Sequence, residues 1–340
     1  MRKEILFFLA VFFISTPTFS QDPRVSQITN MPMVLNPANT GNFKGDIRIG
    51  SSFAHLSNGL LKKNFFGAST NNIYNIGLEH KLGQHQDWAL GFNFMHSSSP
   101  RFMMSGNYAS VSLSKAFFLD TPKIYSLRLG AQVSYLNGIA DETKGGYTIL
   151  MDVRAFQYYR PNGTTELRRF RDDYVNVNLG AVFNMNLDKI KFETGVSLNN
   201  ILKPTFGIMY DSDTKKRYRA SVNSNLTIKA NKKNSFRFDH ISWKEGLFLR
   251  GPSQYNDTTD IHETIYGFSW INHRKSNRTI GIYSRTAKTI FIMAGIDFKR
   301  GLSFNFSYEQ PFNRRFYNIS QYGISLIYTS GSRKQRKEFK

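Results

Sequence analysis

Trp88-Ala89-Leu90-Gly91-Phe92-Asn93-Phe94-Met95-His96 decides how the rest of the chain is read. Trp88, Leu90, Phe92 and Phe94 alternate with the small or polar Gly91 and Asn93. A period of two sorts residues onto the two faces of an extended strand, whereas a helix would sort them with a period of 3.6. One face is large and apolar, the other small and polar. A tilted strand needs about nine to eleven residues to cross a bilayer, and this run has the right length.

The pattern continues in both directions. Upstream, Asp46–Ala54 sets Ile47, Ile49 and Phe53 against Arg48, Gly50 and Ser52, and Asn72–His80 sets Tyr74, Ile76 and Leu78 against Asn75, Gly77 and Glu79. Downstream, Asn107–Phe117 places Val111 and Leu113 between Ser110, Ser112 and Ser114. Lys123–Leu136 alternates Tyr125, Leu127 and Leu129 with Ser126, Arg128 and Gly130, and Tyr174–Leu187 alternates Val175, Val177 and Leu179 with Asn176, Asn178 and Gly180. Further runs lie at Lys189–Asn199, Arg217–Ala230, Ser235–Trp243, His262–Asn272, Arg278–Ala287, Thr289–Lys299, Leu302–Glu309 and Gln321–Tyr328, giving 14 predicted strands.

A water-soluble sandwich shows the same alternation, but open sheets rarely exceed about 10 strands. Backbone groups in lipid must all be paired, which requires a closed sheet. An even strand number puts both termini on one side, the periplasm in an outer membrane. The fold expected is therefore an all-β, transmembrane, antiparallel β-barrel of about 14 strands. Tyr108, Trp243, Tyr283 and Tyr328 lie near strand ends, where interfacial aromatic girdles form.

Loop lengths agree. The long connections 137–173, Tyr210–Lys216 and Gly251–Asp260 follow the fifth, seventh and ninth strands, which run outward. Met151–Tyr159, inside the first of these, has some strand character. Short connections such as Gly83–Asp87 and Asp188 are read as periplasmic turns, and Ala287-Lys288 is read with them.

The N-terminus fixes the compartment. Arg2 and Lys3 precede the apolar run Ile5–Phe13, and Thr18-Phe19-Ser20 supplies small residues at −3 and −1. This is a secretory signal peptide, cut before Gln21. The domains expected are the signal at 1–20, a periplasmic segment or plug at 21–45, the barrel at 46–328 and a basic periplasmic tail at 329–340.

Composition removes other classes. The 340 residues include 45 Lys+Arg against 24 Asp+Glu, a net charge of +21, and cleavage of the signal leaves +20. Export makes nucleic acid an unsuitable partner for that charge, and anionic lipid, peptidoglycan or acidic proteins suit it better. The absence of cysteine excludes disulfides, iron–sulfur clusters, a Cys nucleophile and a lipoprotein anchor. Only the first 20 residues approach a helical span, and the mean hydropathy is −0.40.

The mature N-terminus reads Gln21-Asp22-Pro23-Arg24-Val25-Ser26-Gln27, then Pro32 and Leu35-Asn36-Pro37-Ala38-Asn39-Thr40-Gly41. This D-P-x-x-S-Q…N-P-A-x-x-G pattern resembles the start of the PorP/SprF family of outer-membrane proteins. Glu193-Thr194-Gly195-Val196-Ser197-Leu198-Asn199-Asn200-Ile201-Leu202-Lys203-Pro204, Gly295-Ile296-Asp297-Phe298 and the closing Tyr322–Tyr328 are also similar to that family. The resemblance implies a barrel of the type IX secretion machinery of Bacteroidetes-like bacteria. Its partners would be periplasmic ring components or a secreted surface adhesin used in gliding. Asp22, Pro23, Ser26, Gln27, Asn36, Pro37 and Gly41 are then the candidate partner-binding residues. Two features depart from the family: Ala54–Gly59 replaces an aromatic, Arg-containing stretch, and the chain ends in a basic tail.

The residues alone say less about that segment. Pro23, Pro32 and Pro37 forbid a regular strand or helix there, and Asp22, Ser26 and Asn36 are turn and cap formers. A partner-docking arm, a lumen plug and a leader loop all remain open.

One constellation points to chemistry. His55-Leu56-Ser57-Asn58-Gly59 resembles the His-x-Ser-Asn-Gly stretch of outer-membrane phospholipase A and of lipid A deacylases. His55 and Ser57 share the lipid-directed strand face with Ile47, Ile49 and Phe53. A histidine can activate such a serine for acyl transfer. No orienting acid or amide is identifiable along the chain, and a strand end followed by a Ser-Asn-Gly turn is the plainer reading. His80 and His85 flank a turn beside Glu79, a spacing that specifies no metal. His262-Glu263 lacks the second histidine of a zincin helix, and there is no phosphate-binding glycine loop.

The basic runs Lys62-Lys63, Lys215–Arg219, Lys232-Lys233 and Arg314-Arg315 suit lipopolysaccharide phosphates where they face outward, and the tail Arg333–Lys340 suits an acidic ring protein or peptidoglycan. The sequence thus reads as a non-catalytic partner-binding barrel with no cofactor. A passive channel through a Ser-, Asn- and Gly-lined lumen and an outer-membrane lipid acyl hydrolase using His55 and Ser57 are the alternatives.

Overall fold

The computed structural model describes residues 32–58, 70–83, 86–99, 104–120, 124–141, 169–202, 216–231, 233–250, 256–273, 276–286, 289–298, 301–312 and 319–330. Fourteen strands follow one another: β1 (Ile47–Asn58), β2 (Thr70–Leu82), β3 (Trp88–Ser99), β4 (Met104–Phe118), β5 (Tyr125–Asp141), β6 (Arg169–Asn186), β7 (Ile190–Asn199), β8 (Lys216–Lys229), β9 (Asn234–Arg250), β10 (Asn256–His273), β11 (Asn277–Arg285), β12 (Thr289–Asp297), β13 (Leu302–Pro311) and β14 (Ile319–Thr329). Each pairs antiparallel with its neighbours in sequence, and β14 closes on β1 in the register Arg48↔Thr329 to Asn58↔Ile319. Closure leaves no unpaired edge, the condition a sheet must meet in lipid.

The two faces are those the alternation requires. Outward side chains such as Val111, Val133 and Ile282 are 51, 54 and 58% exposed. Their neighbours Ser110, Ser112, Gln132 and Ser134 point inward and are buried. In water the outer face would be an apolar patch far beyond what a soluble monomer carries; in a bilayer it is the lipid-facing wall.

Several strands are longer than the hydropathy pattern predicts. β5 and β6 continue pairing from Asn137↔Asp173 to Asp141↔Arg169, and β9 and β10 pair as far as Arg250↔Asn256. Half of the Gly251–Asp260 connection, from Asn256 onward, is therefore strand, and 251–255 lie outside the described residues. An 18-residue strand tilted by about 40° rises roughly 45 Å, while the apolar band of such barrels is about 25 Å tall. Alternation marks only the part in lipid; beyond it a strand keeps its backbone hydrogen bonds without needing one apolar and one polar face. Met151–Tyr159 lies outside the described residues.

We call the end where β1 begins and β14 ends the terminal rim. Connections after even strands lie there, and those after odd strands lie at the far rim. β11 ends and β12 begins at the far rim, contrary to the reading of an inner turn between them; Ala287-Lys288 themselves lie outside the described residues. Tyr328 is outward and exposed, but Tyr283 is buried in the lumen and Tyr108 packs against an inner cluster, so neither joins a girdle. Their positions on inward-facing strand registers decide this over their nearness to strand ends. The side chain of Trp243 lies outside the described residues.

Candidate functional sites inside the lumen and on the outer wall

The barrel interior is filled partly by the chain that precedes it. Pro32–Leu35 forms a short helix, α1, and Pro37–Asn39 a 3₁₀ turn, η1. The prolines were expected to forbid helix. Pro32 and Pro37 instead open a turn each, where their fixed φ suits a helix and the missing N–H has no partner to lose, and Pro23 lies outside the described residues. Asn36 joins the two turns: its backbone N–H donates to the Pro32 carbonyl at 3.0 Å, and its Oδ1 accepts from the Ala38 N–H at 2.9 Å.

The same side chain ties the turn to the wall. Asn36 Nδ2 donates to the carbonyl oxygens of Ala181 and Val196 at 3.2 and 3.1 Å. Pro37 and Ala38 press into a notch made by Gly130 and Gly180, which face each other across β5 and β6. A Cβ on Gly130 would meet the backbone of Pro37 and Ala38, and one on Gly180 would meet the Asn36 amide. Leu35 O accepts from Ser197 Oγ at 3.0 Å, Thr40 Oγ1 bonds Ser112 Oγ at 2.7 Å, and Arg128 and Ser114 both donate to Thr40 O. Gly41 takes a positive φ of 74° and donates its N–H to Glu79 Oε2 at 2.8 Å, while Arg48 holds the other oxygen of that carboxylate at 2.5 Å. Asn42 reaches Glu193 at 2.8 Å.

Apolar contacts complete the filling. Leu35 joins Ile241, Ile265, Tyr283, Phe291 and Met293, bridging to β9–β12. Val34 packs with Ala54, Leu56, Ile73, Met95 and Tyr108 on β1–β4. A cavity beside Met33, Arg48, Asn75 and Asn93 measures about 20 Å³, room for little more than a water. Toward the far rim, Arg285 sits between Glu263 at 3.3 Å and Glu309 at 3.0 Å, and Thr289 donates to Glu309. Nearby, Asp239 takes Arg237 at 2.8 Å and the Tyr283 hydroxyl at 3.0 Å.

Of the motif residues, Asn36, Pro37 and Gly41 therefore meet inside the barrel. Asp22, Pro23, Ser26 and Gln27 lie outside the described residues, as do the tail and the Lys62-Lys63 and Arg314-Arg315 runs. Sequence reasoning missed Glu79, Arg128 and Glu193 as anchors. The available signal was a charged residue on the small-residue face of an otherwise apolar strand.

The second site is on the outer wall. Register sets His55 opposite Asn72, and His55 Nδ1 lies 2.6 Å from Asn72 Oδ1. The imidazole stacks on Tyr322 at 5.0 Å. His55 and Ser57 line one cavity of about 60 Å³ with Tyr308, Ser320, Gln321 and Tyr322. The orienting amide that the sequence did not reveal is thus supplied by β2. A similar pair, His96 and Asn107, lies at 2.8 Å on the same face. His80 is exposed on the outside while Glu79 is buried inside, so the wall divides that pair. His240 stacks on Tyr266, and His273 bonds Ser235 and Asn277. His85 and the side chain of His262 lie outside the described residues. Among the described residues no three His, Asp or Glu side chains gather as metal ligands would.

Comparison with known proteins places this geometry. The sequence model of the family "Type IX secretion system membrane protein PorP/SprF" matches residues 18–328. No curated protein matches the chain. Among solved structures, the toluene transporter TbuX of Ralstonia pickettii is similar at 10% identity and a TM-score of 0.51, covering 88% of this chain and 92% of its own. A FadL homologue of Pseudomonas aeruginosa is similar at 11% identity and a TM-score of 0.50, over 86 and 92%. The monoaromatic hydrocarbon channel CymD is similar at 10% identity and 0.50, over 93 and 95%. At such identities the likeness is one of fold: these are outer-membrane barrels.

Proposed function

The chain belongs to the PorP/SprF family of type IX secretion system membrane proteins, and from that premise we propose that it works by holding protein partners of that machinery at the outer membrane. The partners are ring components in the periplasm or a secreted adhesin bound for the cell surface. The signal peptide is removed before Gln21, the host is a Gram-negative, Bacteroidetes-like bacterium, and both termini face the periplasm.

The observation that carries this reading is the seat of Asn36-Pro37-Ala38 in the Gly130–Gly180 notch. A lumen occupied by its own N-terminal segment suits a binding platform better than a passive channel. Asn36, Pro37 and Gly41 then serve as internal anchors. Asp22, Pro23, Ser26 and Gln27, earlier in the same motif, and the basic tail are the segments we assign to protein partners. Outward loops bearing Lys and Arg contact lipopolysaccharide.

The test is isolation from native outer membrane in mild detergent, with identification of what co-purifies. Ring components or one large surface protein are the expected companions, and which of them appears selects the version. A barrel that purifies alone and conducts in planar bilayers would overturn the proposal in favour of a channel.

A further inference from the structure

We propose that β1 and β2 carry a serine hydrolase site on the lipid-facing wall, acting on acyl esters of membrane lipids. This goes beyond partner binding and does not depend on it, since the site uses the outside of the wall and the proposed platform uses the rims.

Three groups stand in the required relation. Ile49, Phe53, His55 and Ser57 share the outward face of β1. Two residues along a strand place His55 and Ser57 about 6.7 Å apart at Cα, a gap that a histidine side chain spans. Asn72 comes from the adjacent strand, directly opposite His55. Its Oδ1 can only accept, so the proton of the 2.6 Å bond comes from His55 Nδ1, and in the neutral imidazole the lone pair then lies on Nε2. That is the tautomer a general base needs. Tyr322 stacks on one face of the ring, and Phe53 packs between Tyr74 and Tyr322 at 5.0 and 6.2 Å, which holds that tyrosine against the imidazole. The cavity of about 60 Å³ lies where both His55 and Ser57 reach it. Just below it the wall turns apolar, with Ile324 and Ile49 outward. A lipid whose chains lie along that wall presents its ester at the level of the cavity.

In the reaction, Ser57 Oγ attacks the ester carbonyl carbon as its proton passes to His55 Nε2. The carbon–oxygen bond to the alcohol breaks, and His55 returns the proton to the leaving oxygen. Water then attacks the acyl-serine, its proton passing through His55 to Ser57 Oγ, which releases the fatty acid. Asn72 is a positioning residue. The ester belongs either to a glycerophospholipid or to the lipid A of lipopolysaccharide.

The full-length protein, purified in mild detergent, is treated with a fluorophosphonate probe and, separately, mixed with phosphatidylethanolamine vesicles or with lipopolysaccharide, reading released fatty acid. Wild type is expected to be labelled on Ser57 and to release fatty acid from one of the two lipids, which identifies the source. Ser57→Ala is expected to abolish both signals. Asn72→Ala should lower kcat by about 10²–10⁴-fold, and Asn72→Asp should restore part of it with a shifted pH profile. Heat-modifiable migration on gels checks that each variant is folded. Folded wild type that is neither labelled nor active on either lipid overturns the proposal, as does hydrolysis that survives Ser57→Ala.

Discussion

The side-chain oxygen of Asn36 occupies the place that a Cβ would take on Gly180. Gly180 lies on β6 and faces Gly130 on β5, so two strands leave out side chains at the same level, and the turn before the barrel fills the gap. A wall built this way is complete only with the segment in place.

Gly180→Leu should therefore expel the segment while leaving the barrel closed, because its strand hydrogen bonds do not involve that side chain. Single-channel recording in planar bilayers is expected to show little conductance for wild type and clear steps for the variant. Equal conductance in the two would mean that the segment does not limit passage.

Asn36→Ala removes the donors to Ala181 O and Val196 O and the cap on Ala38. Orphaned buried groups cost about 1–3 kcal/mol. Asn36→Asp should be worse than Ala, since it turns carboxylate oxygens toward two carbonyls. Urea unfolding from lipid vesicles reads the order: wild type most stable, then Ala, then Asp.

Val133 marks the lipid face at mid-strand. Val133→Arg is expected to cost about 2–4 kcal/mol in folding into vesicles, the range for a cation at the bilayer midplane. The same change would be nearly neutral if that face met water. Vesicle-folding titrations decide between these.

How much of this was legible differs by layer. The fourteen strands could be read because lipid on one side and small polar residues on the other impose a local, two-residue period. Strand ends beyond the bilayer could not: Asn137–Asp141 pairs with Arg169–Asp173 without any hydropathy signal. Asn36, Pro37 and Gly41 were visible as a motif, but their purpose depends on Gly130 and Gly180, roughly 90 and 140 residues downstream. His55 and Ser57 were visible through spacing. Asn72 was not, because the intervening connection hides the register that sets it opposite His55. Glycines in strands look like weak points locally, and only contact across the lumen explains them.

Arg285 tests the far half of the lumen. It lies buried between Glu263 and Glu309, with Thr289 bonded to the latter. Two carboxylates this close repel each other, and the guanidinium between them is what makes the arrangement tolerable. Arg285→Met leaves both acids without their shared cation and should cost about 3–5 kcal/mol. Replacing all three, Arg285→Met with Glu263→Leu and Glu309→Leu, removes the charges together and should recover most of that loss, because the desolvation of three ions disappears with their attraction. Unfolding in urea from vesicles compares the three proteins. If the single variant is as stable as wild type, water reaches the cluster and the lumen is open there. If the triple variant is no better than the single, the ions hold β10, β11 and β13 in register by geometry that apolar side chains do not supply.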